Sequence, residues 1–343
     1  MLQYFLRRIL LIPPTFLGIT LMVFAITRFV PGGPIESMIL QMQMGAGEGG
    51  HGGGSQNMSK GGQALSDEQL ADLRAYYGFD KPTPVAYWEW LTKVMRFDLG
   101  HSTRYGDPVW DTIKQRFPVS VFYGVVAMIL TYAVCIPLGI VKAVRHKSMI
   151  DNVTSFIVFV GYAVPGFVVG IALLVLFAAR WEWFPMGGFT SDGFAALSAF
   201  NKALDIIRHA ALPLMAYMAG SFAVETFMMK NSLMDNLAAD YVRTAMAKGL
   251  DFKTTVLRHA LQNSLIPIAT HFGNNISVLI AGSFLIEKIF NIDGFGLLGY
   301  ESVVQRDYPV VMGILVLSSL LQLLGNILSD LCVALVDPRV QFH

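Results

Sequence analysis

The sequence predicts an all-α membrane protein with six transmembrane helices and both chain ends in the cytoplasm. Three observations support this prediction. First, 54% of the 343 residues are hydrophobic and only 14% are charged, whereas a soluble domain carries about 25% charged residues. Second, several apolar runs reach the roughly 20 residues that a helix needs to cross a bilayer. Third, the positively charged residues of the short loops fall mainly on one side of the predicted spans.

The composition also excludes some kinds of function. The formal net charge is +1, so bulk electrostatics favour neither nucleic acid nor an acidic partner. The two cysteines, Cys135 and Cys332, lie inside apolar runs, where a thiol behaves as a small hydrophobic side chain. They are therefore predicted to be core residues, not a disulfide or a pair of metal ligands.

The first predicted domain, residues 1–30, is a single transmembrane helix. An apolar run from Ile9 to Phe29 follows Arg7 and Arg8. A cleaved signal peptide would have a shorter apolar core and a small-x-small cleavage site after it. We therefore expect this helix to be retained, with its N-terminus in the cytoplasm.

Residues 31–116 are predicted to form an extracytoplasmic loop region. The segment from Gly45 to Gly62 is rich in glycine and is predicted to be flexible. It lacks the GxxxxGK[ST] pattern, so a phosphate-binding loop is not expected there. Turn and capping residues predict three short helices after it: Ser66 to Tyr77, Val85 to Arg96, and a third from Asp107 and Pro108 to Pro118.

Residues 117–343 are predicted to form the transmembrane core. Apolar runs place its five spans at about 119–141, 152–179, 210–229, 265–285 and 310–335. Pro165 and Gly166 are expected to kink the second of these, which is longer than the hydrocarbon core requires. A polar loop at 237–264 separates the third run from the fourth.

The short loops give the orientation. One side of the six spans carries 11 positive charges: Arg7, Arg8, Lys142, Arg145, Lys147, Lys230, Arg243, Lys248, Lys253, Arg258 and Arg339. The other side carries 5: Arg180, Lys202, Arg208, Lys288 and Arg306. Cytoplasmic loops are the more positive, which places the N-terminus, the 237–264 loop and the C-terminus in the cytoplasm.

The 237–264 loop is polar, cationic and well punctuated. Asp240 is predicted to cap a helix from Tyr241 to Lys248, and Gly249 to take the left-handed conformation after it. Ala238, Val242, Ala245 and Gly249 share one face of this helix, where small residues would let another surface approach closely. A second helix is predicted from Asp251 to just before Pro267. An amphipathic loop lying on the membrane surface is the alternative interpretation.

Several strings resemble the permease subunits of bacterial ABC importers. Ala245-x-x-x-Gly249, followed by Leu265-Ile266-Pro267, is similar to their EAA loop. YVRTAMAKGL with LRHALQNSLIPI resembles the oligopeptide and dipeptide branch, as do RRILLIPPTFLGITLMVFAITRFVPGGP, GFDKP, RFDLG, RDYPVVMG and LVDPR elsewhere in the chain. The enlarged glycine-rich loop before GFDKP is similar to the membrane subunit of Yej-type importers.

The resemblance implies a translocation subunit that carries oligopeptides, dipeptides or peptide antibiotics across the bacterial cytoplasmic (inner) membrane. The loop helix is then a coupling helix that docks on a cytoplasmic ATPase subunit. The residues implied in coupling are Asp240, Tyr241, Arg243, Thr244, Ala245, Met246, Ala247, Lys248, Gly249 and Pro267. Met246 departs from the family, which often has arginine there. The implied partners are a second, similar permease, two ATPase subunits that bind ATP and Mg²⁺, an extracytoplasmic substrate-binding protein and membrane lipid.

No catalytic constellation is found in the sequence. His259 and His271 lie on different elements, and neither HExxH nor G-x-S-x-G occurs. We therefore predict that the chain is not an enzyme, that it binds no cofactor or metal, and that ATP is hydrolysed on partner subunits.

Polar residues inside the predicted spans are the candidates for a substrate path. They are Glu225, His271, Asn274 and Asn275, because polar groups in a membrane are costly and usually face a cavity or a partner. Each has a structural alternative: Glu225 lies near Lys230 at the interface, the asparagines could bond helix to helix, and His271 could be neutral and hydrogen-bonded.

Related functions remain open at this stage. Permeases of the same family also carry nickel or glutathione. An ion-coupled secondary transporter is less favoured, because the single set of six spans shows no internal repeat. An intramembrane enzyme is a further alternative.

Overall fold

The protein's computed structural model describes residues 2–29 and 80–336, and within those ranges it is helical, with no β-strand. We number the helices in chain order. They are α1 (Leu2–Phe29), α2 (Thr83–Met95), α3 (Val109–Val144), α4 (Met149–Ala163), α5 (Gly166–Leu173), α6 (Ala199–Ala238), α7 (Asp240–Ala247), α8 (Phe252–Thr255), α9 (Leu261–Ser264), α10 (Ile266–Ile280), α11 (Phe284–Ile289), α12 (Phe295–Val304) and α13 (Tyr308–Val336). Shorter turns of other helix types occupy Leu174–Arg180, Phe194–Ala196 and Val256–Ala260.

Four helices are long and apolar enough to cross a membrane, namely α1, α3, α6 and α13. The pair α4 and α5, continued to Arg180, makes a fifth crossing if it is counted as one span. The bend in the span predicted at 152–179 falls at Pro165 and Gly166, as predicted, but it is a 96° break between two helices and not a kink within one helix. Val164 is extended (φ −98°, ψ 121°), as is typical of a residue that precedes proline.

Two predicted boundaries are also wrong. The short helix expected to end at Pro118 is continuous with the next span, so that α3 has 36 residues with Pro118 and Pro137 inside it. Membrane helices tolerate proline because neighbouring groups satisfy the freed carbonyl. The span predicted at 210–229 is part of the 40-residue α6, about 60 Å long, since nothing in the flanking sequence breaks the helix.

The other described elements agree with the sequence to within a few residues. The helix predicted from Val85 to Arg96 is α2, and the last predicted span is α13. The fourth core span is shorter than predicted, because α10 has 15 residues and ends at Ile280. Cys135 is buried, Cys332 is half-buried and both are free thiols, as predicted. The predicted Gly45–Gly62 segment and the Ser66–Tyr77 helix lie outside the described residues.

The chain divides into two compact units. The larger comprises residues 1–12, 115–298 and 318–343, and it has two hydrophobic clusters. The first cluster packs side chains of α3, α6 and α11, including Tyr123, Tyr217, Ile286 and Phe290. The second gathers Ala143, Met229, Leu233, Val242, Val256, Ala260 and Ile268. Both α3 and α6 contribute residues to the two clusters, so these two helices connect them.

Within the larger unit, α10 and α13 cross in very close contact at two glycines. A Cβ atom at Gly273 would lie 1.7 Å from the carbonyl oxygen of Gly325. Beside this crossing, Ser277 donates a hydrogen bond to the carbonyl of Leu321 at 3.0 Å, and Ser329 donates to that of Thr270. Small and hydroxyl side chains of this kind allow close packing of membrane helices.

The described residues of the smaller unit are 13–29, 80–114 and 299–317. Its centre is the buried carboxylate of Asp307, which accepts hydrogen bonds from the hydroxyl of Ser102 and the backbone N–H of Thr103. Arg104 and Glu301 form an ion pair of 2.8 Å nearby. These contacts bind the turn that precedes α3 to the segment around the start of α13.

Candidate functional site

The loop between α6 and α10 contains the predicted coupling helix as α7. The N-cap residue is Ala239, with no side-chain hydrogen bond, and Asp240 is the first helical residue. The prediction that Asp240 caps the helix is therefore wrong. The carboxylate of Asp240 still lies in the first turn, where a negative charge is favourable to the helix dipole.

The end of α7 agrees with the sequence prediction. Gly249 has a φ of +93°, which is the left-handed region that glycine adopts without strain. The N–H of Gly249 donates to the carbonyl of Met246, and the N–H of Leu250 donates to that of Ala245. These two bonds form a Schellman motif, which stops the helix at Lys248 and turns the chain sharply.

The face of α7 that was predicted to meet another surface is partly buried within the chain itself. Val242 is fully buried and Ala245 is 7% exposed, and Val242 packs into the second cluster beside Leu233 of α6. The chain itself therefore covers two members of the small-residue face, while Ala238 and Gly249 remain exposed. The exposed face carries Asp240, Tyr241, Arg243, Thr244, Met246 and Ala247.

The exposed surface continues after the Gly249 turn. Asp251 caps the next helix as predicted, because its carboxylate accepts the N–H of Thr254 at 3.0 Å. Hydrogen bonds from Thr254 lower the pKa of the Asp251 carboxyl. Phe252 and Leu257 are 49% and 50% exposed, and together with Tyr241, Met246 and Leu250 they give this loop an apolar surface. Pro267 is the second residue of α10, where a missing N–H is tolerated.

A buried ion cluster, which we call the Asp151 cluster, lies at the ends of α3, α4 and α6. Lys230 of α6 contacts both carboxylate oxygens of Asp151, at 2.7 and 2.8 Å. Lys142 of α3, fully buried, lies 3.1 Å from the same carboxylate and also donates to Ser155. The sequence had suggested only exposed charges at the interface for the two lysines, so this cluster was missed. The acid lies 79 residues from Lys230, and sequence spacing gives no signal of such a contact.

A second polar group lies among the spans and brings two of the predicted path residues together. The side-chain amide nitrogen of Asn275 donates to Glu225 Oε1 at 2.5 Å and to the hydroxyl of Tyr132 at 3.0 Å. Glu225 is 2% exposed, and its Oε2 is buried without a hydrogen-bond partner. His271 and Asn274 lie on the exposed side of α10, and Asn274 accepts a hydrogen bond from Gln322 at 3.4 Å.

A third buried carboxylate, Glu287, lies beyond the end of α10. It accepts the hydroxyl hydrogens of Ser120 and Tyr217 and the backbone N–H of Leu297. Burial raises the pKa of the Glu287 carboxyl to about 7, although these hydrogen bonds partly oppose the shift. A Cβ at Gly294 would lie 2.5 Å from the carboxyl carbon, so glycine is required there for the loop to wrap around the acid.

None of these groups has the composition of a metal site. In residues 2–29 and 80–336, no three or more His, Cys, Asp or Glu side chains are grouped so that they could hold a metal ion. His259 lies in the turn Val256–Ala260 and His271 lies in α10.

Comparison with known proteins gives one family and several full-length relatives. Residues 135–342 match the family described as "binding-protein-dependent transport system inner membrane component". The chain is 41% identical to the peptidoglycan transport system permease protein YejB of Agrobacterium fabrum, over 99% of this chain and 98% of that one. It is 38% identical to the inner membrane ABC transporter permease protein YejB of Escherichia coli O157:H7, over 99% of both chains. It is 34% identical to the dipeptide transport system permease protein DppB of Escherichia coli K12, again over 99% of both.

Proposed function

The chain belongs to the family of inner membrane components of binding-protein-dependent transport systems, and from this premise we propose that it is the permease subunit of an ATP-driven peptide importer. The observation that carries the proposal is identity of 34% to 41% with three transport permeases over at least 98% of every chain. The protein is a multi-pass protein of the cytoplasmic membrane and is not an enzyme.

The proposed topology has six spans with both termini in the cytoplasm. The four long helices, the bent pair α4 and α5, and α10 as a short crossing make up six. The excess of positive charge, 11 against 5, supports a cytoplasmic position for the loop that contains α7. Residues 31–116 would then be the extracytoplasmic insertion and residues 117–343 the permease core.

The proposed partners follow from the family. They are a second, similar permease subunit that completes the pore, two ATPase subunits that bind ATP and Mg²⁺, and an extracytoplasmic binding protein that delivers the peptide. In this assembly α7 is the coupling helix. Its exposed face, together with Leu250, Phe252 and Leu257, has the apolar surface outside the spans that typifies a protein docking site.

The packing of α7 supports a route by which movement reaches the spans. Val242 is buried in the same hydrophobic cluster as Met229 and Leu233 of α6, and a well-packed interior transmits displacement instead of absorbing it. A push on the exposed face of α7 is therefore passed to α6. That helix carries Lys230 of the Asp151 cluster and, five residues earlier, Glu225.

The substrate path is proposed to include Glu225, His271, Asn274 and Asn275. Exposed polar side chains on α10 would be unfavourable against lipid, and they adjoin the buried Glu225–Asn275 pair. These residues would line the passage through which the peptide crosses the membrane.

Two other cargoes and one other mechanism are distinguished by experiment. The test is uptake of labelled peptide into vesicles that contain this chain, its partner permease, the ATPases and the binding protein. We expect uptake to require internal ATP. Uptake of nickel or glutathione in place of peptide would change the cargo, and uptake driven by an ion gradient without ATP would contradict the importer assignment.

The coupling role is tested in the same vesicles with Gly249→Val. A β-branched residue at positive φ costs about 1–3 kcal/mol, which is small for a helical bundle but re-aims the loop. We expect normal subunit content with at least a fivefold loss of binding-protein-stimulated ATPase activity, a change of roughly 1 kcal/mol in coupling. Gly106→Val is the matched control, because Gly106 has a φ of +73° and, like Gly249, open space around the added atom. Equal effects of the two variants would contradict a coupling role for α7.

A further inference from the structure

The two carboxylate oxygens of Glu225 differ in their hydrogen bonding. The side chain is 2% exposed and lies on the buried side of α6. Oε1 accepts the amide of Asn275, whereas Oε2 is buried and has no hydrogen-bond partner among residues 2–29 and 80–336. A buried carboxylate oxygen without a partner is unfavourable by several kcal/mol when the group is charged.

The nearby lysine does not neutralise Glu225. Lys230 is the cation closest along α6, and both of its contacts are to the carboxylate of Asp151. Within the part of the chain that the structure describes, Glu225 makes no ion pair. The structural alternative, in which Lys230 accounts for the acid, is therefore excluded.

The side chains of Glu225, Asn275 and Tyr132 together offer more acceptors than donors. Asn275 uses its amide nitrogen to donate to Glu225 and to Tyr132, which leaves its Oδ1 as an acceptor. The hydroxyl oxygen of Tyr132 receives one of those bonds and keeps a second lone pair. The group therefore offers Oε2 of Glu225, Oδ1 of Asn275 and the Tyr132 hydroxyl oxygen as acceptors. Its one remaining donor is the O–H of Tyr132, and among the described residues no lysine or arginine pairs with Glu225.

The group is also close to an exposed surface. Asn274 precedes Asn275 directly and His271 lies one turn earlier on α10, and both are exposed. The buried carboxylate and these exposed side chains are therefore linked through Asn275, which is half-buried.

We propose that Glu225, Asn275 and Tyr132 form a subsite for the ammonium group of the translocated peptide. An ammonium group has three donors, no acceptor and one positive charge, which is the complement of this group. Every peptide with an unblocked amino terminus carries it at neutral pH. The subsite thus recognises a feature common to peptides of any side-chain sequence, and it deepens the proposed peptide-importer function on which it rests.

The test compares two forms of one peptide without Lys, Arg or His: the free peptide and its N-acetylated form. Uptake kcat/KM is measured for both forms with the wild-type chain and with Glu225→Gln, using the same binding protein. For each peptide form, the kcat/KM of the wild type is divided by that of the variant. The quotient of these two ratios does not depend on which form the binding protein prefers. We expect Glu225→Gln to lower uptake of the free peptide at least about tenfold more than that of the acetylated peptide.

A second measurement does not depend on delivery. The same two labelled peptides are compared by equilibrium dialysis against the purified transporter complex without binding protein, and we expect the same loss of discrimination. Glu287→Gln is the matched control, because Glu287 is also a buried glutamate but has hydrogen-bond donors on both oxygens. It should leave the ratio between the two peptides unchanged.

Two results would overturn the subsite. An equal loss of uptake kcat/KM for both peptides would give Glu225 a structural role. No loss for either peptide would show that Glu225 takes no part in binding. If the wild-type complex took up neither peptide in the presence of ATP, the importer assignment itself would fail, and that result is distinct from the other two.

Discussion

Asp151 and Glu225 are both buried carboxylates that contact α6, yet their surroundings are opposite. Asp151 is held by two lysines, at 2.7 and 3.1 Å, which join the ends of three helices. In Glu225, Oε1 accepts one hydrogen bond from the amide of Asn275, and Oε2 has no hydrogen-bond partner among the described residues. A charge that is fully neutralised in the folded chain is part of the structure, whereas one left half-satisfied is available to a group that arrives and leaves.

Glu287 lies between these extremes. Its carboxyl group is surrounded by donors, but all of them are neutral hydroxyl and backbone groups. The three acids therefore form a graded series, from two cations to several neutral donors to one amide. If surroundings decide role, neutralising Asp151 should cost far more folding stability than neutralising Glu225 or Glu287.

The largest effect is expected for Asp151→Asn. The substitution leaves Lys142 and Lys230 buried without a counter-charge, and breaking a buried pair in this way costs about 3–5 kcal/mol. The measurement is the free energy of unfolding of the purified chain in one detergent. Lys114→Ala, which removes an exposed pair with Asp111, is the control and should cost less than about 1 kcal/mol. Similar losses of unfolding free energy in the two variants would contradict a structural role for the Asp151 cluster.

The next effect concerns pH and Glu287. The folded state holds the proton of this acid up to about pH 7, while the unfolded chain releases it near its ordinary value of 4.5. The folded state binds more protons between these values, so stability should fall as pH rises through that window, by about 3 kcal/mol in total. Glu287→Gln should abolish this part of the slope in unfolding measurements. An unchanged slope would show that other groups cause it.

A smaller effect is expected for Asn275→Ala. Among the described residues it removes the one hydrogen bond to Glu225, and it should cost about 1–3 kcal/mol. In the Glu225→Gln background the same change should cost less, because a neutral amide is easier to leave unpaired. A double-mutant cycle of unfolding free energies measures this coupling. Asn274→Ala, at the exposed neighbouring position, is the matched control and should lie within about 0.5 kcal/mol of the wild type. Absence of coupling would separate Asn275 from Glu225.

Local features were predicted well from the sequence because they depend on neighbouring residues. The left-handed Gly249, the cap at Asp251 and the apolar stretches of α1 and α13 all follow from adjacent side chains. The described residues contain four long apolar helices, or five crossings if the bent α4–α5 pair counts as one. The sequence did not predict the short α10 or the sharp bend between α4 and α5.

Features that depend on tertiary packing were not predictable. The Asp151 cluster joins residues from three helices, and the buried face of α7 is decided by the cluster that covers Val242. Glu225 was predicted from the sequence as a polar residue within a span, but its neighbours Tyr132 and Asn275 lie 93 and 50 positions away. Only the structure shows that the nearby Lys230 is occupied by another acid.

In this account Glu225 binds the peptide and Asp151 stabilises the fold. The most direct measurement is the unfolding free energy of Glu225→Gln with and without saturating free peptide, beside the wild type. Without peptide, the variant should lie within about 1 kcal/mol of the wild type, since replacing a poorly paired buried charge by a neutral group is often neutral or stabilising. With peptide, the wild type should gain more stability than the variant. A loss in Glu225→Gln as large as that in Asp151→Asn, with equal stabilisation by peptide, would contradict the claim.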